Sequence, residues 1–196
     1  MKRRFLMLFM AALVPSLAVG GEESAAIATG LREAYKLNEK NDHQALAAKL
    51  RELLKQVEQA GAKKLAGHLP EQLGEWKGAE LKPEDLTLAG GGISLSRTYA
   101  NGEKKITVKA VKDSPVAGKF LPLLQNEQLI AASGRKTERV DGKLGVYENE
   151  RKLQMAISDT VYLEVAGNEK CGTNDIASLA RKLDLRALAQ LGKAAV

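Results

Sequence analysis

Residues 93–110 constrain the fold of this 196-residue chain more tightly than any other stretch. Ile93, Leu95 and Tyr99 alternate with Ser94, Ser96 and Thr98, and Ile106, Val108 and Ala110 alternate with Lys105, Thr107 and Lys109. Asn101-Gly102 lies between the two runs and supplies the positive backbone angles of a tight turn. The pattern predicts an antiparallel hairpin with one buried and one polar face.

Similar alternation returns later. Thr137 to Val140, then Leu144 and Val146, then Leu153, Met155 and Ile157, then Val161, Leu163 and Val165 read as further strands joined by short links, with Asp141-Gly142 as a turn. Between the two groups, Ser114-Pro115 has the form of an N-cap with proline at the first helical position. The apolar patch of Phe120, Leu123, Leu124, Leu129 and Ile130 follows, with Pro122 expected to shorten or kink the helix and Ser133-Gly134 to stop it. Ile176, Leu179, Leu183 and Leu188 predict a closing helix from about Asn174 to Leu191.

Ahead of the strands the period is helical. Ile27, Leu31 and Tyr35 form one stripe, and after the polar link 38–42, with Asp42 as N-cap, Leu46, Leu50, Leu53, Leu54 and Val57 form a stronger one that Gly61 is expected to end. Such a pair packs as an antiparallel hairpin, and a lone hairpin needs a surface to dock on. The whole reads as α+β. A helical hairpin (21–66) and a linker (67–83) anchored by Trp76 precede an antiparallel sheet of about five strands (84–196), packed with one inserted and one C-terminal helix on one face.

Residues 1–20 have the form of a cleaved export signal. Lys2, Arg3 and Arg4 precede an apolar run from Phe5 to Val14, then Pro15 and small residues place cleavage after Ala18 or Gly20. Arg3-Arg4 only partly matches a twin-arginine signal, so general secretion is the expected route. The run is too short to span a bilayer and no cysteine is near the cleavage region, so the expected product is soluble, periplasmic or secreted, with no membrane anchor. The chain carries 30 basic and 24 acidic residues, a formal charge of +6. Loss of the leader leaves 27 against 24, so half the apparent basicity is targeting signal. Mixed charge signs and 4% aromatic content give nucleic-acid binding no support.

The run Leu69-Pro70-x-x-Leu73-Gly74-x-Trp76, followed by Gly90-Gly91-Gly92 and Ser96-Arg97-Thr98-Tyr99, resembles uncharacterised exported proteins of Gram-negative bacteria. The resemblance covers the last two thirds of the chain and implies no activity.

Catalytic signals are sparse. Cys171, the single cysteine, precedes a predicted helix N-terminus, where a thiol pKa falls, but it has no redox partner, and His43 and His68 lie far off in sequence. The two histidines form no metal-ligand pattern, and no cofactor is expected. Gly90-Gly91-Gly92 lacks the Lys-Ser/Thr of a phosphate loop and reads as an irregular strand entry. Ser114 reads as a cap rather than a nucleophile. Glu148, Glu150, Asp159 and Glu164 read as solvated strand positions, although carboxylates there can pair. Arg97, Lys104, Lys105, Lys109 and Lys112 read as charges that protect a sheet edge. The expected function is therefore a non-enzymatic periplasmic binding or adaptor protein, its partner another envelope protein on the hairpin or on the polar sheet face. A carrier of an apolar ligand or lipid, and a thiol enzyme using Cys171, are the alternatives.

Overall fold

The computed structural model describes residues 19–191. Residues 1–18 of the expected export signal, with the Ala18 cleavage position, lie outside them. The described residues divide into two compact units, one reaching Gln56 and the other starting at Val57.

The first unit is a helical hairpin. Helix α1 (Val19–Glu39) and the first half of α2 (His43–Ala66) are joined by three residues. Asp42 caps α2 as expected, its carboxylate accepting from Ala45 N at 3.0 Å. The helices run antiparallel: Glu33 pairs with Lys49 at 2.7 Å, while the earlier Gly30 meets the later Leu53. Gly30, Ala34 and Leu53 fill the seam, leaving Leu31, Tyr35, Leu50 and Leu54 exposed. Gly61 does not end α2. A Cβ at 61 would meet Ile93 Cδ1 at 2.3 Å, so within the second unit this glycine admits the close approach of a strand.

In the second unit the sheet corrects the expected count. Among the described residues it has nine strands, not about five. Three are short: β1 (Gln72–Leu73), β2 (Trp76–Gly78) and β3 (Lys82–Glu84) occupy the stretch read as a linker. Two or three residues cannot show a period of two, and Pro83 argues against a strand everywhere except at an edge, which is where β3 sits, paired only with β4. The six longer strands match the alternating runs: β4 (Ile93–Asn101), β5 (Lys104–Lys112), β6 (Thr137–Val140), β7 (Lys143–Asn149), β8 (Lys152–Ala156) and β9 (Val161–Gly167). Their order is β1-β2-β4-β5-β9-β8-β7-β6, antiparallel throughout, with β3 also on β4.

The first hairpin turns one residue later than expected. Asn101 pairs with Lys104, and Gly102, at φ +59°, is the first of two central residues. Alternation is unaffected, because Tyr99 still opposes Ile106 on the buried face.

Helices cover both faces, not one. On the first face Tyr99, Val108, Leu163, Leu153 and Met155 form the main core with α5 (Thr173–Ala180) and α6 (Leu185–Gln190), together with Leu65 in the last turn of α2 and Leu69 just beyond it. The expected single closing helix is split in two because Asp184 caps Ala187 N at 2.9 Å and starts a new one. On the opposite face Val146, Ala156 and Tyr162 pack under Leu121, Leu124 and Ile130 of α3 (Pro115–Gln125) and α4 (Glu127–Ala132). Pro122 sits inside α3 without ending it. The break comes at Asn126, whose side chain caps α4 through Leu129 N.

Burial fixes the phenols. Tyr99 Oη donates to Pro70 O at 2.9 Å, and burial pushes its pKa up to about 12. Burial also raises Tyr162, with Glu164 adding to the effect, and raises Tyr147. A phenol whose folded pKa exceeds its unfolded value of about 10 holds its proton better in the native state. Its stabilising contribution is complete below pH 10 and is lost as pH rises through the folded value. Absorbance at 295 nm during alkaline titration is therefore expected to show three of the four tyrosines ionising late and together with unfolding. Reversible ionisation of all four near pH 10 would contradict this packing.

Candidate functional site

The second face is covered only in part. Helix α3 carries two apolar stripes: Ala117, Leu121 and Leu124 are buried on the sheet, while Val116, Phe120 and Leu123, also spaced i, i+4, i+7, remain about half exposed. The second stripe forms one wall of a cavity of about 570 Å³. Leu86 and Ala89, from the segment leading into β4, line it too, and the floor is the polar face of β5, β9 and β8. Lys109, Glu164 and Gln154 lie in one cross-strand row.

The floor residues hold one another. Lys109 Nζ meets Glu84 Oε2 at 2.5 Å, and the same carboxylate oxygen accepts from Ser94 Oγ at 3.2 Å. Lys152 lies 3.3 Å from Glu148 and 3.7 Å from Glu164, and these carboxylates hold its pKa above the usual lysine value, Glu164 contributing most. Tyr162 Oη donates to Glu164 at 3.1 Å, and Gln154 Nε2 donates to Glu148 at 2.9 Å.

The glycine run lies beside this cavity. Gly90, Gly91 and Gly92 have φ of +90°, +89° and +108°. Gly92 N donates to Glu58 Oε1 at 2.8 Å, so a carboxylate of the chain itself takes the amide that a phosphate would need. Ser114 is the residue before α3 as expected, but its side chain makes no cap bond. It lines the cavity, where it is buried, and Gly92 packs on its backbone.

The other singled-out residues are scattered. Asp159 accepts from Gln125 at 3.1 Å, and Glu150 is exposed in the turn after β7. Lys104 pairs with Asp175 at 2.7 Å, which lowers the carboxyl pKa, and Lys112 pairs with Asp113. Arg97 points into the main core at 7% exposure. Cys171 is 4% exposed within that core, its Sγ 3.2 Å from Asn168 Oδ1 and 3.5 Å from Lys105 O, and neither histidine is among its hydrogen-bond partners. Iodoacetamide is expected to label the native thiol at least about tenfold more slowly than the urea-unfolded one, because labelling then waits on local opening. Equal rates would restore a thiol mechanism.

Among the described residues no group of three His, Cys, Asp or Glu side chains is placed to hold a metal ion, and no helix is long and apolar enough to cross a membrane. No family model, curated protein or solved structure matches this chain. Sequence reading grouped Phe120 with Leu123 as an apolar patch and Glu148 with Glu164 as carboxylates, but it did not bring the two groups, Lys109 and Ser114 to one site. Val116, Leu86, Gln154 and Tyr162 carried no separate signal, since only the sheet order and the angle of α3 place them on one groove.

Proposed function

We propose that this chain is a non-enzymatic binding protein exported to the cell envelope, and that the groove between α3 and the second sheet face is its ligand site. One observation carries the reading: an apolar stripe on α3 stays out of the core and faces a roomy cavity above a floor whose ionic groups already satisfy one another. A volume of about 570 Å³ lies within the range of small-molecule pockets. The tripartite residues 1–20 support the location.

Native mass spectrometry tests both parts after expression with the leader in a Gram-negative host. Recovery from the periplasm, shortened at Ala18 or Gly20 and carrying an amphiphile that decanol displaces, is the expected result. Retention in the cytoplasm at full length contradicts the location, and failure to bind decanol contradicts the groove.

An adaptor role, with another envelope protein docked on the hairpin, is a second reading. It is favoured by Leu31, Tyr35, Leu50 and Leu54, which the hairpin leaves exposed at i, i+4 spacing on each helix.

A further inference from the structure

We infer that the groove takes a single-chain amphiphile with an anionic head, its chain along α3 and its head on the Arg135 guanidinium, an inference that rests on the binding reading above. The lining contains four formal charges: Lys109, Arg135, Glu148 and Glu164. Three are engaged within the sheet, Lys109 by Glu84, and the two glutamates by Lys152 with Gln154 and Tyr162. Arg135 differs. Among the described residues its guanidinium makes no ion pair or hydrogen bond, and only its backbone N is engaged, with Ser133 Oγ at 3.4 Å.

This asymmetry sets the sign of the ligand. A cationic head would have to compete with Lys109 or Lys152 for a carboxylate that already has its partners. An anionic head finds an arginine with all five donors free, in the planar fork that suits carboxylate and phosphate. The apolar part follows from Val116, Phe120 and Leu123, which extend about 10 Å along the helix. Leu86 and Ala89 also line the cavity, so a chain laid along the stripe is sheltered from water.

Calorimetric titration with decanoate, decanol and decylamine below their micellar concentrations tests this on the wild-type protein and on Arg135→Ala and Phe120→Ser. Both positions are exposed, so both variants are expected to keep the wild-type melting temperature. Decanoate is expected to bind about tenfold more tightly than decanol, the weight of one charge-assisted contact at an open site, and decylamine most weakly. Arg135→Ala should erase the difference between decanoate and decanol without changing decanol affinity, and added salt should shrink it. Phe120→Ser should weaken all three. Decylamine binding as well as decanoate, or a decanoate preference that survives Arg135→Ala, overturns the anionic head and leaves the groove standing. Binding of none of the three, or indifference to Phe120→Ser, overturns the groove itself.

Discussion

Gly92→Ala is expected to lower the melting temperature by about 5–15 °C, the equivalent of a loss of roughly 2–4 kcal/mol in a chain of this size. Two effects add. The backbone at 92 has φ +108°, a region that L side chains avoid. A Cβ there would also lie 2.8 Å from Ser114 Cα and 2.9 Å from Ser114 N, backbone atoms at the strand-to-helix corner that cannot step aside as a flexible side chain can. The displaced corner is the start of α3, so the same substitution should also disturb the groove wall. Gly118→Ala is the control. A Cβ at 118 meets nothing within 4 Å and the position is helical, so stability should stay level or rise by about 0.5 kcal/mol. Equal melting temperatures for Gly92→Ala and wild type would mean that the entry to β4 is not packed as described.

Two leucines separate the core from the groove. Leu163 is fully buried on β9, the strand between β5 and β8, and Leu163→Ala is expected to cost about 2–5 kcal/mol through lost burial and the cavity left behind. Leu123 is 53% exposed on α3, and Leu123→Ala should cost no more than about 0.5 kcal/mol, the range of surface substitutions. Urea denaturation measures both. A large loss at Leu123 would show that the second stripe of α3 serves stability, which would remove the reason to assign it to a ligand.

The comparison of these leucines also shows what the sequence made legible. Leu163 sits in an alternating run, and period two alone puts it opposite Tyr162 and on the buried face. The long strands, the Asp141-Gly142 turn and the Asp42 cap were readable for the same reason: each rests on a local pattern of neighbouring residues. The short strands β1 to β3 were not, because pairing with β4 creates them rather than any pattern of their own. Gly61 read as a stop and is instead a contact, a difference that only the position of Ile93 decides. The stretch from Asn174 to Leu191 read as one closing helix, and Asp184 within it is a cap that starts another.

The groove was legible only in pieces. Phe120 and Leu123 were grouped with Leu124 and Ile130 as one apolar patch, but Leu124 on α3 and Ile130 on α4 are buried against the sheet, Leu124 at the cavity's edge, while Phe120 and Leu123 stay half exposed along its wall. Glu148 and Glu164 read as solvated carboxylates, and only the order β9-β8-β7 brings both to Lys152. Sequence spacing carries no information on such cross-strand neighbours when the strands are connected by loops of unknown path.

The most direct test of the groove is a ¹H–¹⁵N chemical-shift titration of the purified chain with decanol and then decanoate. The expected result is saturable shifts concentrated at Val116, Phe120, Leu123, Lys109 and Tyr162, with Arg135 responding to decanoate alone. Shifts centred on the hairpin residues Leu31, Tyr35, Leu50 and Leu54, or no saturable shift with either compound, would contradict the account.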